Sequence, residues 1–184
     1  MGLLTIIRNQ KRKDREIRML VLGLDNSGKT TIVKNMLHED VDSISPTMGF
    51  RIQSLPYKDY TINMWDIGGQ TSLRAFWSNY FDKTDVVLWV IDGLSLERIE
   101  ESYRELRDKI IEQDRLVGVY LLIAINKTDL IPDAELARLK VIVTGLLQLE
   151  KMIPERDHWD IKLVSGKTGS GIGKVLDWVV SREY

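Results

Sequence analysis

The eight residues GLDNSGKT, Gly23 to Thr30, set two glycines around four residues and close on a lysine and a threonine. Glycines let such a loop wrap closely, so the backbone N–H groups of Gly23, Asp25, Asn26, Ser27 and Gly28 can point at phosphate oxygens. The helix that follows adds its positive end. Lys29 would reach the β- and γ-phosphates, the Thr30 hydroxyl would ligate Mg²⁺, and Thr31 follows in the same turn. A glycine-rich turn could match by accident. With glycine near 7% of ordinary usage, that happens in fewer than about 1% of chains this long. The pattern also has the strand-like run before it and the helical run after it that a phosphate loop needs.

NKTD, Asn126 to Asp129, follows another strand-like run, YLLIAI. The Asp129 carboxylate can accept hydrogen bonds from N1–H and the 2-amino group of guanine, and adenine offers neither donor. A charged acceptor left unpaired is costly, so one residue can discriminate strongly between the bases. Asn126 would tie this loop to the phosphate loop, and the Lys127 stem would lie along the base. In VSGKTG, a backbone N–H of Ser165 or Gly166 can bond the guanine carbonyl while Lys167 flanks the ring. NKTD alone could be a polar turn, and a serine-glycine turn needs no ligand. In register with the phosphate loop, both read as guanine contacts.

Two further stretches read as γ-phosphate sensors. In WDIGGQ, Asp66 would hold Mg²⁺ through water, the Gly69 N–H would bond the γ-phosphate and Gln70 would orient the attacking water. In PTMGF, Thr47 can give Mg²⁺ its hydroxyl only if a γ-phosphate holds the loop. Read singly, either stretch could be an ordinary turn. With the nucleotide loops they describe a switch, in which loss of one phosphate releases two segments.

The elements that must position these residues alternate. IRMLVLG, DVVLWVID, VYLLIAIN and IKLVS read as buried strands, and FRIQSL and YTINMWDI as a hairpin around PYKD. Helical patterns follow the phosphate loop towards His38, cover Ser95 to Gln113, run through Leu136, Leu139, Val143, Leu146 and Leu147, and end the chain through Leu176 and Val180. The expectation is an α/β fold with one mostly parallel six-stranded sheet, one antiparallel edge strand and helices on both faces. Ligands of such sheets sit at the carboxyl ends of the strands. The 184 residues suffice for one domain at 17–184, preceded by an amphipathic arm at 1–16. Lys+Arg 26 against Asp+Glu 27 leaves a net charge of -1, so no basic field points to nucleic acid. With Cys 0, neither a disulfide framework nor a cysteine zinc site is possible. MGLLTIIRNQ lacks the apolar core of a secretory signal, and the apolar run Leu116 to Ile125 falls short of the roughly 20 residues of a membrane span. The expected setting is cytoplasmic.

These motifs resemble the Ras-like P-loop GTPases, and more narrowly the ADP-ribosylation-factor (Arf) branch. WDIGGQ and a phosphate loop with Asp25 at its third position have the Arf form. The resemblance runs from the first residues to the last helix. Within the branch, MGLLTIIR, the basic stretch after it and EDVDSISPTMGF are similar to the Arf-like GTPase of tubulin folding. It implies a GTP/GDP switch that binds Mg²⁺–GTP, hydrolyses it slowly and regulates tubulin-folding cofactors and microtubule formation. The implied partners are tubulin-folding cofactor D, cofactor E, tubulin and a GTPase-activating protein, around a chain that is a monomer on its own and linked to the microtubule cytoskeleton. A switch releasing lipidated cargo from carriers, and a constitutive GTP-bound subunit of a cofactor assembly, stay open. NKTD argues against the third class, a P-loop kinase.

The resemblance also implies an effector surface of Phe50, Trp65 and Trp77, partly exposed between the switches, with core filling as the plain alternative. It implies that the hairpin from Phe50 to Asp66 shifts register by two residues on GTP binding, which keeps every side chain on its face. Leu3 and Leu4, with Ile6 and Ile7, would dock into a protein partner. Ile6 stands where a myristoylation signal wants Ser or Thr, so no stable membrane anchor is expected. Asp25 stands where Ras-type proteins have glycine, so an activating protein would approach differently. None of these motifs supplies an activating arginine in cis.

Overall fold

The computed structural model describes residue 2 and residues 15–184. Leu3, Leu4 and most of the arm read at 1–16 lie outside the described residues. Strand β1, Glu16–Leu22, starts one residue before the boundary read from sequence. It is followed by α1, Lys29–Met36, then the hairpin β2, Phe50–Tyr57, and β3, Tyr60–Ile67. A one-turn α2, Thr71–Arg74, and a 3₁₀ turn, Trp77–Tyr80, lead to β4, Val86–Asp92. Next come α3, Ile99–Leu106, β5, Tyr120–Asn126, α4, Asp133–Leu147, α5, Leu149–Met152, β6, Trp159–Leu163, and α6, Ile172–Val180.

The sheet order is β2-β3-β1-β4-β5-β6. Among the described residues, only the β2–β3 pair is antiparallel, with Phe50 opposite Ile67 and Tyr57 opposite Tyr60. The parallel strands are apolar on both sides because both faces are covered. Along β4, Val86, Leu88 and Val90 pack on one face with Ile32, Val33, Val175 and Val179 of α1 and α6. Val87, Trp89 and Ile91 pack on the other face with Ile99, Leu106, Leu139 and Val143 of α3 and α4. In the pairing of β4 with β5, Asp92 emerges at the carboxyl end beside Asn126 of β5.

The helix expected over Ser95 to Gln113 is broken into parts. A 3₁₀ turn at Leu96–Arg98 precedes α3, and a π turn at Arg107–Ile111 follows it. The segment after NKTD forms a 15-residue α4, which Gln148 ends at φ 47. The short α5 then buries Leu149 completely.

Candidate nucleotide site and switch region

At the carboxyl end of β1 the chain turns through the phosphate loop. Gly23 adopts φ +142, and a Cβ there would stand 2.4 Å from the Val90 carbonyl oxygen of β4, so only glycine fits. Gly28 adopts φ +91, and a Cβ would lie 2.2 Å from Asn126 Nδ2. Lys29 folds back, its Nζ donating to the carbonyls of Gly23 at 2.9 Å and Leu24 at 2.7 Å. Burial pushes its ammonium down to about 8, against the opposing pull of Asp66 and Asp25. A buried cation held mainly by loop carbonyls is suited to an incoming phosphate.

Three oxygens from distant segments meet at the first turn of α1. Thr30 Oγ1 donates to Asp66 Oδ2 at 2.6 Å and lies 2.8 Å from Thr47 Oγ1. Among the described residues, Asp66 Oδ1 is buried without a hydrogen-bond partner. Burial raises the Asp66 carboxyl, while the Thr30 hydrogen bond and the Lys29 charge hold it down. An orphaned carboxylate oxygen beside two hydroxyls is a hard-oxygen donor set, which fits Mg²⁺. These groups border a cavity of about 310 Å³, lined by Asn26, Gly28, Lys29, Thr30, Thr31, Thr47, Gly69 and Gln70 among others. Among the described residues, Gln70 Oε1 is also buried without a partner, and Nε2 reaches only Met48 Sδ at 3.9 Å. Ser27 and Gly23 do not line this cavity. The Ser27 hydroxyl turns inward to the Leu24 carbonyl at 2.8 Å.

The base-reading loops adjoin the phosphate loop. Asn126 Nδ2 donates to the Ser27 carbonyl at 2.9 Å, and its Oδ1 accepts the Gly166 N–H at 2.9 Å. One side chain thus joins all three loops. Lys127 Nζ donates to the Asn26 carbonyl at 2.8 Å and to Asp92 Oδ2 at 2.6 Å. The Ser165 hydroxyl donates to Asp129 Oδ1 at 2.7 Å. Asp129 is otherwise open to solvent, as a base-reading carboxylate must be before its base arrives. Lys167 pairs with Asp42 of the loop before β2, linking the base side to the Thr47 loop.

The sequence reading missed three charged residues here. Asp92, which holds Lys127, sits at a strand's carboxyl end, where the general rule for such sheets could have found it. Arg74 and Arg98 both bind Asp25, at 3.1 and 2.9 Å, so two cis arginines do reach the phosphate loop. No local pattern marks them, because the tertiary fold alone brings them there.

The effector assignment needs one correction. Phe50 is 48% exposed and stacks on Trp65 with ring centroids 5.9 Å apart. Trp77, expected to be partly exposed, is completely buried. Its Nε1 donates to the Gly68 carbonyl at 3.1 Å and its ring stands edge-on to Trp89. The third surface aromatic is Tyr80, with centroids 5.4 Å from Phe50 and 6.2 Å from Trp65. Arg18 covers the other part of the cluster, its guanidinium 3.8 Å from the Trp65 ring. The Trp77 indole fills the core against Trp89, while Trp65 and Tyr80 stay half-buried at the surface.

A phosphate loop, a carboxylate-bearing base loop and a glutamine beside the metal-ligand oxygens, all at the carboxyl ends of the parallel strands, define a small GTPase. The sequence profile of the ADP-ribosylation factor family matches residues 3–183, and the chain belongs to this family. It is 44% identical over 180 residues to ADP-ribosylation factor-like protein 2 of Dictyostelium discoideum, covering 98% of this chain and 94% of that one. To the protein of the same name in Arabidopsis thaliana it is 46% identical over 184 residues, again covering 98% and 94%. The Arl6 BBS3 small GTPase from Trypanosoma brucei, solved with the nucleotide analogue GppNp, matches with a TM-score of 0.75 at 25% identity. That match covers 92% of this chain and 99% of the other. The protein is an Arf-like GTP-binding switch that binds GTP and GDP with Mg²⁺ and hydrolyses GTP.

Proposed function

We propose that the protein switches a cytoplasmic tubulin-folding assembly, offering its Phe50, Trp65 and Tyr80 surface to tubulin-folding cofactor D when GTP is bound. One observation carries the switch half of this reading: Thr47, three residues before Phe50, lies at the metal-ligand oxygens. Whatever holds or frees Thr47 therefore moves the start of β2 and the aromatic surface with it. The client half rests on the resemblance of the first residues and of EDVDSISPTMGF to the Arf-like GTPase of tubulin folding.

In this reading the loop N–H groups and Lys29 hold the phosphates, and Asp129, Ser165 and Gly166 read guanine between the stems of Lys127 and Lys167. Thr30 and Thr47 would hold Mg²⁺ directly and Asp66 through water, the bound ion supplying charge neutralisation at the β- and γ-phosphates. The Gly69 N–H faces the γ-phosphate and Gln70 orients the attacking water. Hydrolysis is slow without an activating protein because both cis arginines are already engaged on Asp25. An arginine free to reach the transition state is worth roughly 10³–10⁵ in rate. The arm of residues 1–16 binds a protein partner and no membrane anchor is required; the free chain is a monomer.

The test is binding of purified cofactor D to the protein loaded with GDP or with a non-hydrolysable GTP analogue. Strong preference for the GTP form supports the reading. Equal binding would make the protein a constitutive subunit of the assembly, and no binding would redirect the search to carriers of lipidated cargo.

A further inference from the structure

Arg74 is the last residue of α2 and is 3% exposed, yet it belongs to none of the nucleotide motifs. Every arm of its guanidinium is engaged. Nε donates to the Gly69 carbonyl at 2.8 Å. Nη1 donates to Glu101 at 2.7 Å and to Glu105 at 3.2 Å, both on α3. Nη2 donates to Asp25 Oδ1 at 3.1 Å. The two glutamates suffice to neutralise a buried guanidinium, as a purely architectural arginine requires. The remaining two contacts point elsewhere, to the phosphate loop and to the residue before Gln70.

Gly69 is already pressed against that loop. A Cβ on it would lie 2.4 Å from the Gly23 oxygen and 2.5 Å from Asp25 N. Its carbonyl accepts the Asp25 N–H at 3.2 Å as well as the Arg74 Nε. The peptide joining Gly69 to Gln70 is therefore held from both sides. The turn that starts at Gln70 is closed at its far end too, where the Leu73 N–H donates to the Gln70 carbonyl at 2.8 Å. Arg74 ties the two ends together by reaching back over that turn. Its planar fork makes these bonds simultaneously, which a lysine ammonium on a flexible stem cannot do.

We propose that Arg74 is a positioning residue for GTP hydrolysis, fixing the Gly69–Gln70 peptide on the phosphate loop through Asp25 and so setting where the Gln70 side chain stands. Arg98 binds the same carboxylate oxygen, with Nη2 2.9 Å from Asp25 Oδ1, and its Nη1 lies 3.1 Å from the Asp25 carbonyl. The assignment also explains how a phosphate loop carries a carboxylate at all. The charge of Asp25 faces two guanidiniums and serves as their anchor instead of opposing the phosphates. The inference rests on the reading that Gln70 orients the attacking water.

The experiment is a double-mutant cycle on protein preloaded with γ-labelled GTP, following release of labelled phosphate in a single turnover. Affinity for a fluorescent GDP and the thermal midpoint are measured alongside. Misplacement of a reacting group by about 1 Å can cost up to roughly 100-fold, so Arg74→Lys should slow hydrolysis about 10- to 100-fold while GDP affinity stays within about threefold. In the Gln70→Leu background the same change should cost less than about twofold, because groups that act as a unit are not additive. An unchanged rate in Arg74→Lys, or an equal further loss on top of Gln70→Leu, overturns the assignment. A wild-type rate in Gln70→Leu alone instead overturns the reading of Gln70, and that single variant shows it separately. If Arg74→Lys does not fold, Asp25→Asn leaves the guanidinium and its glutamates in place and must show the same non-additive loss.

Discussion

The Thr47 hydroxyl lies 2.8 Å from the Thr30 hydroxyl, across 17 positions of sequence. Thr47 is buried to 7% exposure, although its neighbour Met48 is 82% exposed and Pro46 is also open to solvent. Apolar burial therefore does not hold this loop. Its hydroxyl is drawn in by the polar cluster of Thr30 and Asp66, and the loop is only as stable as that cluster.

Thr47→Val keeps the volume and removes the oxygen. We expect the affinity for a GTP analogue in Mg²⁺ to fall about tenfold, the value of one hydrogen bond in a charged site of about 1.5 kcal/mol. GDP affinity should change less than about twofold, because Thr47 would ligate Mg²⁺ only beside a γ-phosphate, which GDP lacks. Parallel titrations with fluorescent GDP and GTP analogues decide this, and equal losses for both would remove Thr47 from the switch.

Gly28→Ala tests the joint between the phosphate and base loops. The new Cβ would meet Asn126 Nδ2 at 2.2 Å at a backbone φ of +91 that alanine rarely adopts. Asn126 must then release the Ser27 carbonyl, the Gly166 N–H or both. GDP should dissociate roughly 5- to 30-fold faster, taking one to two buried hydrogen bonds at about 1 kcal/mol each. A dissociation rate equal to wild type in a stopped-flow chase would show that Asn126 is not a structural tie.

Most of the site was legible because it is local. Gly23 to Thr30 and Asn126 to Asp129 each carry their chemistry within one short loop after a strand, and the alternation of strand-like and helical runs pointed to the parallel sheet. Arg74 and Arg98 were invisible because their partner, Asp25, lies 49 and 73 positions away. Trp77 was misplaced for a related reason. Its neighbour Phe76 is 54% exposed and Tyr80 is partly exposed, so the burial of Trp77 depends on packing against Trp89, which no local spacing reveals.

That misplacement yields a contrast of its own. Trp77→Ala removes a fully buried indole and should lower stability by about 3–5 kcal/mol. Phe50→Ala and Tyr80→Ala trim a half-open cluster and should cost less than about 1.5 kcal/mol each, the range of an aromatic pair, while weakening the GTP-dependent partner. Urea unfolding beside partner binding separates the two classes. A Tyr80→Ala protein that binds as wild type would leave Phe50 and Trp65 as the surface.

Asp25 makes a pH-dependent contribution whose sign is fixed. Its hydrogen bond to Arg98, aided by the charges of Arg98 and Arg74, holds its carboxyl below the ordinary 3.8, although partial burial opposes this. A depressed carboxylate contributes stability that is present above its unfolded value and lost as pH falls through its folded value. The stability gap between wild type and Asp25→Asn should therefore be flat from neutral pH down to about the ordinary 3.8, then shrink with further acidification. Asp25 is 43% exposed, so the gap should stay under about 1 kcal/mol. A gap that widens in acid would mean that the charge of Asp25 opposes folding.

Asp129→Asn tests the base assignment most directly. The carboxylate of Asp129 is fixed on one side by the Ser165 hydroxyl and is otherwise open. Two donors on guanine would meet it, at about 1.5 kcal/mol for each charge-assisted bond, so the amide should weaken GDP roughly 100-fold. The amide also presents a donor where the carboxylate accepted, which matches the carbonyl that xanthine carries in place of the guanine amino group. Xanthosine diphosphate should accordingly bind the variant better than GDP does, reversing the wild-type order. If GDP affinity is unchanged, Asp129 does not read the base, and discrimination must come from the backbone of Ser165 and Gly166.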